Sequence, residues 1–239
     1  MAVVSSTADP RPHGERPASD RPVWRVLAFL AALILAWVAY QWFFDSDAVR
    51  FRLTVDVATP NGIRSGSSVI VARSYKSGCW GPVEACRTVS EAEGEAVHVD
   101  LGNGRHVFAV LGWGAKGEDR DKVFGIVAAT LAPNKRVEWD EQQKLKGSGN
   151  VPPDYIPTFV TFDNLKDPKT ARIVAPDEFE KVFGPGFRLA GVRLETTSNS
   201  ITRSIASVLP WLSTTDYLNG RGGCAPTEAH CLYRGNFRR

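Results

Sequence analysis

Four cysteines carry the most reactive side chains in the sequence, and they fall in two pairs, Cys79 with Cys86 and Cys224 with Cys231, seven positions apart in each case. Such pairs suit a disulfide, a metal thiolate site or a redox couple. Structural zinc sites separate paired cysteines by two to four residues, and six intervene here, although His230 stands beside Cys231. The redox spacing C-x-x-C is absent. Both short segments hold turn formers, Gly81 and Pro82 in one and Pro226 in the other, so each could close as a small loop. In an oxidising compartment the expectation is two structural disulfides, each contributing ~2.5 kcal/mol on the chain-entropy account. Four cysteines permit three connectivities, and sequence does not choose among them.

Trp80 lies inside the first cysteine loop, where it can serve as a binding anchor or plug an edge of the core. His98 and His106 flank the stretch Gly102-Asn103-Gly104 within GEAVHVDLGNGRHVFAVLG, which reads as a hairpin. A three-residue loop there sets Val99 against Val107 and Asp100 against His106. Trp80, His98 and His106 form the candidate binding surface. Two strand histidines beside a carboxylate are a metal-ligand set in outline, but spacing supplies no firm third ligand, so no metal and no cofactor are expected.

Paired carboxylates hydrolyse glycosides. Asp154, Asp163, Asp167, Asp177, Glu178 and Glu195 are candidates, yet Asp163, Asp167 and Asp177 sit where turns and helix starts normally want them. The motifs G-x-S-x-G, H-E-x-x-H and the phosphate-cradling glycine loop are all missing. Lys76-Ser77-Gly78 lacks the companion S-x-x-K of penicillin-recognising enzymes.

The elements that must position these groups divide the chain into three. Residues 1–22, rich in Pro, Ser and charge, read as a flexible cytoplasmic tail. Residues 23–44 read as a transmembrane signal-anchor helix. Its apolar run Val26 to Phe44 has nineteen residues and one polar member, Gln41. At about 1.5 Å per residue it covers ~28 Å, close to a hydrocarbon core. No small-x-small cleavage pattern follows it directly. Arg11, Arg16, Arg21 and Arg25 precede the run while Asp45 and Asp47 follow, which orients the amino terminus inward despite Arg50 and Arg52.

Residues 45–239 then form one extracytoplasmic domain. Phe51, Leu53, Val55 and Val57 alternate with polar residues as a half-buried strand, TPNG at 59–62 is a turn, and Ser67 to Arg73 is a second strand. Asp119 or Asp121 could cap a helix running to about Leu131, although Val123 to Val127 reads equally well as a strand; an exposed loop follows over 144–153 and a strand over Thr158 to Phe162. Pro176 to Gly184 has helix punctuation, and the strand from Phe187 changes parity near Gly191, which predicts a bulge. Ile201, Ile205, Val208, Leu209 and Leu212 share one helical face, with Pro210 ending that helix near Val208 and sending Trp211 and Leu212 into a turn on the core. The last residues, LYRGNFRR, read as a solvated end. The fold class is therefore α+β: an N-terminal transmembrane helix, then one domain with a mostly antiparallel β-sheet and two or three short helices.

The segments GEAVHVDLG at 94–102, IPTFVTFDN at 156–164 and ITRSIASVLPWL at 201–212 resemble a family of uncharacterised bacterial single-pass envelope proteins. That resemblance implies an envelope location and brings no activity, cofactor or partner with it. A net charge of +3 without a Lys/Arg block argues against nucleic acid. The sequence thus points to a single-pass protein of the bacterial inner membrane, amino terminus inside and main domain in the periplasm, which binds or organises an envelope protein partner without catalysis. A carboxylate-dependent hydrolase of cell-wall or sugar polymers is the alternative.

Overall fold

The computed structural model describes residues 21–45, 48–77, 87–115, 117–214 and 234–239. The chain divides into two compact units, Met1–Asp45 and Ser46–Arg239. In the first, the apolar run lies within helix α1 (Arg21–Asp45). Its described large side chains, among them Trp24, Phe29, Leu35 and Trp37, are exposed. Among the described residues no helix is long and apolar enough to cross a membrane.

The second unit is built on two antiparallel sheets. Strand β1 (Ala48–Thr59) alternates without a break, so Val49, Phe51, Leu53, Val55 and Val57 all turn inward. Burying each such side chain contributes about 1.5–3 kcal/mol. The chain reverses through Pro60-Asn61 into β2 (Gly62–Ser77), with Thr59 Oγ1 accepting from Asn61 N–H and donating to the Gly62 carbonyl. Next come β3 (Arg87–Glu93), β4 (Val97–Gly102) and β5 (Arg105–Ala109). Short helices α2 (Ile126–Leu131) and α3 (Trp139–Gln142) lead to β6 (Ser148–Asn150) and β7 (Phe159–Phe162). Strand β8 (Ala171–Val174), helix α4 (Phe179–Phe183) and β9 (Arg188–Thr196) follow, and α5 (Arg234–Phe237) is the last element. The sheets run β3-β2-β1-β9-β6 and β4-β5-β7-β8. The expected α+β class with mostly antiparallel pairing holds.

One apolar cluster takes side chains from both sheets: Phe51, Leu53 and Leu194 from the first, Val97, Val107 and Phe159 from the second, with Phe179 and Phe183 of α4. A second cluster covers the opposite face of the four-stranded sheet, where Phe108, Val160 and Phe162 meet Leu209, Trp211 and Phe237. A sheet buried on both faces needs no alternation, which is why β7 reads FVTF with all four of its residues buried.

The expected bulge near Gly191 forms, since Asp56 pairs with Gly191 but Val57 with Leu189. The 121–131 region is a 3-10 turn (Asp121–Phe124) followed by α2, and helix 176–183 shortens to α4, with Gly184 at φ +105° behind it. Three expectations need correction. The 144–153 loop contains edge strand β6, paired with β9. Second, no helix forms over 201–212. The residues that would begin it are engaged elsewhere: Thr197 N–H donates to the Arg50 carbonyl and Thr202 N–H to the Val69 carbonyl, both in the first sheet. Glu95, only 1% exposed, then accepts the N–H groups of Ser204 and Ile205, and two 3-10 turns, Ile205–Ser207 and Pro210–Ser213, complete the segment. Trp211 and Leu212 are buried in the turn as expected.

Third, residues 234–239 dock on the domain, with Asn236 and Phe237 buried although Arg234 and Arg238 stay exposed. Phe237 is fully buried, and its carbonyl accepts from Ala96 N–H at 2.8 Å. Asn236 accepts from Leu111 N–H, and Arg239 exchanges two backbone hydrogen bonds with Gly94.

Candidate functional site

The β4–β5 hairpin carries the two histidines. Its turn is Asn103-Gly104, with φ of 54° and 72°. This is a mirror-image turn that Asn-Gly adopts at little cost and whose twist matches the strands. Val99 pairs with Val107 and Asp100 with His106, as the sequence predicts. The predicted three-residue loop is corrected to two, because Gly102 pairs with Arg105 and the register shifts between Asp100 and Gly102. Asp100 Oδ1 braces this irregularity by accepting the Gly102 N–H at 2.8 Å.

Strand alternation sends Val97 and Val99 into the core and leaves His98 and Asp100 on the other face. His98 Nε2 and His106 Nδ1 stand 3.0 Å apart. The His98 ring stacks on Phe108 with centroids 4.9 Å apart, and Asp100 Oδ1 is 3.9 Å from His106 Nδ1. Thr161 Oγ1 donates to the His106 carbonyl, tying the second histidine to β7. Gly66 of β2 lies against the His98 carbonyl so closely that a Cβ there would overlap it.

Burial pushes the His98 imidazole below its ordinary value, the charge of His106 adds to this, and Asp100 opposes both. The unfolded chain therefore takes up this proton before the folded one does. The resulting stability is fully present above pH 6.5 and is lost as pH falls from there through the lower folded value. Urea titrations in chelator-containing buffer should show stability falling below pH 6.5, and His98→Gln should flatten that part of the profile. Such a pair can share a proton, or offer two neutral nitrogens to a cation.

The candidate carboxylates are dispersed. Asp163 pairs with Arg172, Glu178 with Lys181, and Glu195 with Arg52, while Asp177 is exposed. Asp167 accepts Lys169 N–H at the start of a 3-10 turn, and the Asp154 carbonyl accepts from Lys122. A groove of about 430 Å³ lined by Thr54, Ser148, Gly149, Asn150, Arg193, Leu194 and Glu195 gathers one of these carboxylates and neither histidine. Cys79, Trp80, Cys86, Cys224, His230 and Cys231 lie outside the described residues.

Sequence reasoning missed Glu95 and Arg239. Glu95 Oε1 lies 3.7 Å from Arg238 Nε. Arg239 reaches the carbonyls of Leu111 and Gly235, and burial, aided by Arg120, pulls its guanidinium down to about 10. Nothing in their spacing marked them, since Glu95 depends on where residues 204 and 205 pass and Arg239 on where residues 234–239 dock. Comparison with known proteins found no matching family model, no similar curated protein and no similar solved structure.

Proposed function

We propose that the protein is a membrane-tethered module of the bacterial envelope that binds or organises an envelope protein partner and carries out no catalysis. The apolar run Val26 to Phe44 carries this reading: nineteen residues with Gln41 as the one polar member, contained in α1. Its described large side chains stay exposed, Trp24 at 74% and Leu35 at 69%. An apolar run that covers ~28 Å as a helix, its described large side chains exposed, suits lipid better than water. The arginines ahead of it favour an inward amino terminus, leaving residues 45–239 in the periplasm, where the four cysteines form disulfides. The module engages its partner through a face that includes His98 and His106.

Fractionation tests the tether. The full chain is expected in the membrane pellet after alkaline washing and to be released by detergent. Leu35→Arg, at the centre of the run, opposes insertion by about 2.5–3.5 kcal/mol and should raise the soluble fraction. Non-reducing peptide mapping should find disulfide-linked peptides, and cross-linking in intact membranes a defined hetero-complex lost on substitution of the histidine face. A freely soluble chain with four reduced thiols overturns the reading.

A further inference from the structure

Two imidazoles from opposite strands bring ring nitrogens within 3.0 Å of each other on a half-buried face of the β4–β5 hairpin. We infer that His98 and His106 chelate a divalent late transition-metal ion, Zn²⁺ in the simplest case, with water completing its coordination. The separation carries this. Metal–imidazole bonds of about 2.0–2.1 Å meeting at roughly 90–100° place two donor atoms ~3 Å apart. The 3.0 Å between His98 Nε2 and His106 Nδ1 is already one edge of such a polyhedron.

The frame holds that edge without ordering cost at the moment of binding. The Asn103-Gly104 turn and the pairing of Asp100 with His106 fix the two backbones. Phe108 stacks on the His98 ring, and Thr161 ties down the His106 carbonyl. Asp100, 3.9 Å from His106 Nδ1 and 65% exposed, lies beside the spot with its charge turned to solvent. It supports the ion through a water ligand, since among the described residues no group of three His, Cys, Asp or Glu is placed to hold a metal. The adjacent cation is directed away: strand alternation turns Arg105 to the other face, where its guanidinium lies over the Phe187 ring.

Whichever ring donates the hydrogen bond between them passes that proton, through water, to its other nitrogen, so that both rings bind through unprotonated nitrogens. The hydrogen bond between the rings is given up, and a pair that held an extra proton releases it to water. A chelate of two protein ligands is open and exchangeable, unlike the closed four-ligand sites that build zinc folds. It therefore suits capture of the ion from solution or a bridge to a donor on a second molecule.

The test is a Zn²⁺ titration of the full chain in detergent, stripped beforehand with chelator, read by long-range ¹H–¹⁵N NMR of the imidazoles. His98 Nε2 and His106 Nδ1 are expected to shift together and to saturate with one ion. His98→Ala or His106→Ala should weaken that ion by roughly 100-fold, and Asp100→Asn by roughly tenfold, the scale of an outer carboxylate partner. Nitrogens that stay in place at saturating Zn²⁺ would leave the pair as a hydrogen bond alone and overturn the inference. So would an unchanged affinity in the double histidine variant. Should the variants not fold, the wild-type nitrogen shifts decide by themselves. Membrane fractionation does not involve these histidines, so failure here is separable from failure of the tether.

Discussion

Replacing Gly66 with alanine is expected to lower the unfolding free energy by about 3 kcal/mol, the upper end of what overpacking ordinarily costs. The residue pairs with Val55 of β1, and its open side faces the backbone of β4. A Cβ would overlap the His98 carbonyl and come within 3.1 Å of Val99 Cγ2. Neither neighbour is the free end of a flexible side chain. Relief requires β2 to move as a strand, yet β2 is held along its length by β1 and over its second half by β3. Gly191→Ala is the control: it too lies in a strand, but a Cβ there meets nothing within 4 Å. Its effect should stay within about 0.5 kcal/mol, as for substitutions that disturb no neighbour. Guanidinium titrations of the two variants separate overpacking from a general intolerance of alanine for glycine. The Gly66 substitution should also disturb the His98 ring and loosen the histidine pair.

Truncating Phe237 to alanine is expected to cost more, about 3–5 kcal/mol, as for other fully buried aromatic side chains. Its ring lies within 6.2 Å of the Phe108, Phe162 and Trp211 rings, so one truncation empties the middle of the second core. Loss of that anchor also frees the backbone around it. Ala96 N–H and Leu111 N–H, which donate to the carbonyls of Phe237 and Asn236, should lose hydrogen-exchange protection. The comparison is Ile63→Ala, at a position 68% exposed. That change should leave stability and exchange nearly unchanged. If Phe237→Ala were as mild as Ile63→Ala, docking of residues 234–239 would contribute nothing to the fold.

Elements whose signal is local could be read from the chain alone. Strand β1 shows its buried face through alternation, the bulge near Gly191 shows as a change of parity, and Gly102-Asn103-Gly104 marks the hairpin, whose pairing of Asp100 with His106 also needs the register shift before Gly102. The approach of the two histidines was legible for the same reason, because register alone decides which cross-strand residues share a face. Whatever depends on a distant partner emerged only on folding. Residues 201–212 carry helical spacing but surrender backbone donors to Val69 and Glu95. Strands β3 and β6 have weak patterns of their own and exist through β2 and β9. Phe237 looked like part of a polar tail because an aromatic flanked by arginines has no periodicity to betray its burial. Even the 3.0 Å between the histidine nitrogens is set partly by Phe108 stacking and by the missing Cβ of Gly66. Local chemistry fixes φ, ψ and strand phase over a few residues. Which surfaces are then covered depends on contacts spanning more than a hundred positions, such as Glu95 with Ile205.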